Sequence, residues 1–200
     1  MRYLSLGMGL AAALAFQASG ANATPMTFVG SLSGANEVPV VVTPATGSTT
    51  VILDPTAQTL QVNVSFSGLT SLTTAAHIHC CAPLGTNAMV ATTVPAFPGF
   101  PIVANGNGVT AFDYVSPVLD LTQSTTYNPA FITAEGSLAQ AETALINGIE
   151  SGMTYLNVHT QNNPGGEIRS QLEPAPEPAS LVLLGSALLG LGVMRRRLLG

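Results

Sequence analysis

The sequence predicts a mainly β fold, an antiparallel β-sandwich or barrel carrying one short helix, and three observations predict it. Leu60, Val62, Val64 and Phe66 alternate with Gln61, Asn63, Ser65 and Ser67, the period of a strand with one face on a core and one on water. Short apolar runs are separated throughout by Gly, Pro, Asn and Asp, the residues that make turns. Helical spacing is confined to the stretch from Leu138 to Ile149.

Residues 1–23 open with Arg2, run as an apolar stretch from Leu4 to Phe16 and close on Ala21-Asn22-Ala23, the small-x-small pattern of a signal-peptidase site. This order predicts an export signal cut after Ala23 by signal peptidase. The 150 residues from 24 to 173 then form one domain, long enough to bury a core.

Thr27 to Leu32 reads as its first strand, with Phe28 in phase with Leu32. Val51 to Leu53 and Leu60 to Phe66 read as two arms of a hairpin, because Asp54-Pro55 opens a turn between them. Thr73 to His79 is the next strand. The loop-rich stretch after Cys81 accommodates short strands at Met89 to Thr93 and Val109 to Tyr114, while prolines at 95, 98 and 101 exclude a central strand. Ser137 to Gln140 has the spacing of a capping box, and Leu138, Ala141, Leu145 and Ile149 follow at helical intervals. The spacing predicts one helix over about 138–147, closed by Gly148. Thr154 to Thr160 and Glu167 to Leu172 are the closing strands, joined by the turn Asn162-Asn163-Pro164-Gly165-Gly166.

The C-terminal segment, 174–200, has a different grammar. Pro176-Glu177-Pro178 precedes an apolar run from Leu181 to Met194, which Arg195-Arg196-Arg197 follows at once. As a helix, the sixteen residues from Ala179 to Met194 would span about 24 Å, a marginal membrane span. The three arginines would stay cytoplasmic and leave the preceding domain outside. This tripartite order resembles the PEP-CTERM sorting signal of Gram-negative bacteria. The resemblance implies recognition and cleavage by an exosortase after transient inner-membrane anchoring, with delivery to the cell surface or an extracellular polysaccharide matrix.

Charge narrows the partners. Of ten carboxylates all but Glu177 fall within 24–173, against the single cation Arg169, and the chain has no lysine. Nucleic acid is excluded, since phosphate binding needs clustered Lys and Arg. The acidity suits an exported soluble surface or attraction to divalent cations.

The sharpest chemical signal is Ala75-Ala76-His77-Ile78-His79-Cys80-Cys81, which gathers two of the three histidines and both cysteines into seven residues. On a strand, His77 and His79 share one face and Ile78 takes the other. In Tyr155-Leu156-Asn157-Val158-His159 the same alternation sets Leu156 and Val158 on an apolar face and His159 opposite. His77, His79 and His159 are therefore candidate ligands for one metal ion, with Cys80 as a further thiolate donor. Imidazole with thiolate favours copper or zinc. The competing reading is a polar network in which the imidazoles hydrogen-bond to Glu167, Asn157 or backbone. Cys80 and Cys81 could hold metal, close a strained ring or link to another chain, and sequence does not choose among these.

Several phrases occur in order: Ser33-Gly34-Ala35-Asn36-Glu37-Val38-Pro39, Thr43-Pro44-Ala45-Thr46-Gly47, Ala76-His77-Ile78-His79, Asn157-Val158-His159-Thr160 and Pro164-Gly165-Gly166-Glu167-Ile168-Arg169. As a set they resemble the CHRD domain, named after chordin and found in bacterial secreted proteins. The likeness covers nearly all of 27–172, although that family usually continues His-Ile-His with glycine where this chain has Cys80. Glu37, Glu167 and Arg169 recur in the family phrases, and the scarcity of other partners suggests an ion pair between Glu37 and Arg169. A second reading makes Arg169 an anion anchor.

His-x-His on one strand with a later histidine on another also resembles copper-zinc superoxide dismutase. That family needs further histidines and an aspartate for a second, bridged metal, and no spare imidazole exists here. Neither a Gly-x-Ser-x-Gly nucleophile frame nor a phosphate loop occurs. The expectation is thus a non-enzymatic, surface-sorted binding or structural module of the envelope or matrix, with exopolysaccharide or another surface protein as its partner. The rival expectation is a small mononuclear copper or zinc protein, redox-active in one version.

Overall fold

The computed structural model describes residues 24–176. The predicted signal peptide, the membrane helix, Glu177, Pro178 and the cluster Arg195, Arg196 and Arg197 lie outside the described residues. Among the described residues no helix is long and apolar enough to cross a membrane.

The strands are β1 (Met26–Ser33), β2 (Thr46–Asp54), β3 (Thr59–Ser67), β4 (Thr73–Cys80), β5 (Met89–Val90), β6 (Phe112–Val115), β7 (Leu119–Asp120), β8 (Thr154–Thr160), β9 (Ile168–Gln171) and β10 (Glu173–Pro174). They form one curled antiparallel sheet in the order β5-β4-β8-β9-β1-β2-β3-β6, with β10 on β1 and β7 on β3. The mainly antiparallel β expectation holds, but the architecture is a half-barrel. It is neither a two-sheet sandwich nor a closed barrel, because the end strands β5 and β6 do not pair with each other.

The hairpin forms as its alternation requires. Val51 faces Val62 and Leu53 faces Leu60 across the β2–β3 ladder, and all four are buried. The Asp54 carboxylate accepts from the backbone N–H of Thr56 and Ala57, which fixes the turn. In the insert both strands are shorter than predicted; the first keeps its start at Met89, and the second is shifted toward the C-terminus. β5 stops at Val90, and β6 begins only at Phe112. The insert's aromatics explain its role: Phe97, Phe100, Tyr127 and Phe131 are buried, so this stretch covers the apolar face of the sheet instead of extending it.

Two helices follow where one was expected, α1 (Pro129–Glu135) and α2 (Leu138–Glu150). α1 is short and apolar in few positions, yet its local signals are complete. Asn128 accepts from the N–H of Ala130, Pro129 occupies the first turn and Gly136 closes the helix at φ 98°. α2 begins as predicted, with Ser137 accepting from the N–H of Gln140. It does not end at Gly148 but runs to Glu150 and closes on Ser151. Gly148 is buried within α2, and a side chain there would collide with the sulfurs of Cys80 and Cys81 and with Thr154. Its small size serves packing of α2 on β4 and β8, not termination.

β8 shows a further departure. Its alternation reads as one apolar and one polar face, yet every residue of β8 is buried. Leu156 and Val158 face the apolar core, and the opposite, polar face is roofed by loops.

Candidate functional site

The polar face of the β4–β8–β9 ladder carries the site. In register, His77 lies opposite Asn157, His79 opposite Tyr155 and Ala75 opposite His159. On the next ladder Asn157 pairs with Arg169 and Tyr155 with Gln171. Directly paired residues share a face, so strand alternation delivers all three imidazoles to one side of the sheet. Ile78 and Leu156 point into the core behind them.

The structure brings His77, His79 and His159 together. Ring centroids of His77 lie 4.8 Å from those of His79 and 4.6 Å from those of His159. One nitrogen from each ring lies within 4.8 Å of the other two. The rings are buried, at 5%, 8% and 7% exposure for His77, His79 and His159.

Second-nitrogen contacts orient two of the rings. His79 Nδ1 is 2.8 Å from the Ala88 carbonyl, and His159 Nδ1 is 3.0 Å from the Pro164 carbonyl. A carbonyl only accepts, so each Nδ1 carries the proton and donates, which leaves Nε2 as a bare lone pair. Those two Nε2 atoms and His77 Nδ1 are buried without a protein partner. The polar-network reading thus accounts for one nitrogen of His79 and of His159, to backbone and not to Glu167 or Asn157, and leaves one buried nitrogen of each of the three rings unexplained.

Electrostatics keep the cluster neutral. Burial, helped by the other two histidines, holds His77 down at about 2. Burial brings His79 down to about 4 against the upward pull of its bond to Ala88. His159 is lowered by burial and by Arg169, despite its bond to Pro164. Unprotonated imidazoles with free lone pairs are what a metal ion requires.

The proposed Cys80 donor is not part of this group. Cys80 and Cys81 form a disulfide across a cis peptide bond, on the core side near α2. Alternation sends Cys80 to the face opposite His79, and both sulfurs contact the Ala144 carbonyl. No free cysteine remains among the described residues.

Glu37 and Arg169 meet across the top of the ladder, with Arg169 Nε 3.3 Å from Glu37 Oε2 and both side chains buried. The pair is ionic contact without hydrogen-bond alignment, since Arg169 Nε finds no acceptor in line. The guanidinium instead donates to the Thr86 carbonyl and the Asn87 side chain. Desolvation pushes Glu37 up to about 7 against the pull of Arg169 and of Asn157. Glu167 lies apart from the histidines' contacts. Burial pushes it up, but bonds from Thr160, Thr43 and Thr70 outweigh that and hold it below the usual carboxylate range.

Tyr155 is the site residue that sequence reasoning passed over. Its ring stacks on His79 at 4.6 Å, Arg169 lies 3.9 Å over its centroid, and its hydroxyl accepts from the Ala88 N–H. The signal was present, because Tyr155 shares the phase of Asn157 and His159. Of the sorting motif only Pro176 is described, and it is exposed.

A family model for the CHRD domain matches residues 28–172. A second, for the PEP-CTERM protein-sorting motif, matches residues 174–197. No curated protein and no solved structure matches the chain.

Proposed function

This chain belongs to the CHRD family, and from that premise we propose that it is a surface-sorted binding module whose ligand is a single transition-metal ion, copper or zinc, held by His77, His79 and His159. The sorting motif implies an exported, cell-surface protein of a Gram-negative bacterium processed by an exosortase. That destination is compatible with binding at the envelope or in the extracellular matrix, the setting proposed here. The role proposed is binding.

The observation that carries this reading is the meeting of three buried imidazole rings, each with a nitrogen within 4.8 Å of the other two and each with one nitrogen left without a protein partner. A buried polar atom left unpaired costs about 1–3 kcal/mol, so three together form an arrangement that an added ligand would relieve. Backbone carbonyls holding the second nitrogens of His79 and His159 provide the outer support common to metal-binding histidines.

Elemental analysis of the exported protein, beside the same measurement on His79→Ala, tests the reading. One copper or zinc per chain, lost in the variant, is the expected result. Substoichiometric metal in both would leave an exported scaffold with a polar histidine network. Fractionation of cells carrying the chain with and without residues 174–200 tests the destination, the truncated form being expected to miss the surface.

A further inference from the structure

Taking His77, His79 and His159 as metal ligands, we infer that the ion they hold is copper in its cuprous state, in preference to zinc or cupric copper. Charge decides between the ions. Among the described residues the convergent donors are three imidazoles and nothing else. The sulfurs, which could have supplied negative charge as thiolates, are joined to each other. Every donor is therefore neutral, and the ion keeps its full charge inside a pocket of nearly buried rings.

The cost of desolvating an ion rises with the square of its charge, so a dication loses about four times what a monocation loses. Carboxylate donors would offset that loss. The two buried carboxylates nearby are committed elsewhere: Glu37 faces Arg169, and Glu167 accepts from Thr43, Thr70 and Thr160. The fixed charge that does stand behind the ligands is positive. Arg169 lies over Tyr155, and Tyr155 stacks on His79. That guanidinium opposes a dication more than a monocation.

Coordination number points the same way. Zinc prefers four donors in a tetrahedron, with nitrogens about 2.0 Å from the metal. Among the described residues only three donors converge, and rings this buried give little access to a fourth ligand from solvent. A filled-shell monocation accepts three donors without a geometric penalty. Binding is the whole of the step, and no electron is exchanged.

The test uses the exported protein with its disulfide intact. It is loaded under argon with Cu(I) as the acetonitrile complex, challenged with excess Zn(II) sulfate and, separately, titrated with Cu(II) sulfate. One cuprous ion per chain retained against zinc, and bound more tightly than Cu(II), is the expected result. Displacement by zinc, or tighter binding of Cu(II), overturns the cuprous assignment and leaves metal binding in place. Failure of every ion to bind at one per chain overturns both. A second variant reads charge alone. Ala75 is half-buried on the site face opposite His159, and Ala75→Asp is expected to improve zinc affinity relative to Cu(I) by about tenfold or more. An unchanged ratio in a folded Ala75→Asp protein also counts against the assignment.

Discussion

The Tyr155 ring lies against the His79 imidazole with planes 11° from parallel, and the Arg169 guanidinium covers its other side. Tyr155 thus couples the one cation of the domain to a candidate ligand, and its hydroxyl ties both to the 86–88 segment through the Ala88 N–H. The neighbouring Ala88 carbonyl holds the His79 proton. Removing the ring should release His79 as well as open a cavity. Tyr155→Ala is expected to destabilise the fold by about 3–5 kcal/mol, whereas Tyr155→Phe, which keeps the stack, should cost about 1 kcal/mol. Urea unfolding of the two variants checks this. Equal losses would mean that the hydroxyl, not the stack, is the important contact.

Arg169 and Glu37 make a buried pair whose members are worth more together than apart. Without Arg169 the buried Glu37 carboxyl must stay unpaired or take up a proton, so Arg169→Met alone should destabilise the fold, and by more at about pH 8 than at about pH 6. The double variant Glu37→Gln with Arg169→Met should recover most of that loss, because a neutral pair carries no desolvation penalty. A double-mutant cycle measured by chemical unfolding reads the coupling. Strictly additive losses would show that Arg169 acts through Asn87 and Thr86 alone.

Much of this site was legible because β-strands have a period of two. Knowing only that 73–79 and 154–160 are strands places His77, His79 and His159 off their apolar faces, and the three share one face of the folded sheet. What alternation does not reveal is register. That His159 sits opposite Ala75, two pairs along from His77, depends on the β4–β8 ladder, which closes across an insert of more than seventy residues. Coverage of the polar face was equally hidden. It comes from segments 37–39, 86–88 and 164–166, whose loop sequences carry no periodicity. The cysteines were ambiguous for the opposite reason. Adjacent side chains on a strand point apart, and only the turn of the chain after Cys80 brings the sulfurs together against α2. The α1 helix, at seven residues, is too short for hydrophobic spacing to register, although its Asn-Pro start and Gly stop were readable.

Acid should loosen the metal-free domain. In the unfolded chain imidazoles bind protons near pH 6.5, while burial holds folded His79 at about 4 and His77 at about 2. Between about pH 6.5 and 4 the unfolded state therefore binds more protons, and stability falls as pH falls. Glu37 opposes this. Its folded value of about 7 lies above the unfolded 4.5, so between those values the folded state gains protons and stability on acidification. Three depressed imidazoles, His159 included, outnumber one raised carboxyl. The net loss should be a few kcal/mol, at about 1.4 kcal/mol per imidazole and pH unit. Urea midpoints of the metal-free protein at about pH 7 and pH 5 check it, and His79→Gln should flatten the dependence. A midpoint that rises on acidification would mean that Glu37 dominates.

Gly166 links the roof of the site to its floor. Its φ of +123° is one that side chains rarely adopt, and a Cβ there would meet Asn157 Nδ2 at 2.5 Å and Glu37 Oε1 at 2.7 Å. Both groups are buried, so neither can swing into solvent to make room. Two residues earlier, the Pro164 carbonyl fixes the His159 ring. Gly166→Ala should therefore do two things. It should destabilise the fold by more than the ~1 kcal/mol of an ordinary glycine substitution, and it should weaken metal retention by freeing His159. Gly165→Ala is the control, because a Cβ at that position meets nothing within 4 Å. Thermal unfolding and metal content of the two variants separate the effects. If Gly165→Ala and Gly166→Ala lose metal equally, the turn as a whole, not the contact with Asn157 and Glu37, sets the position of His159.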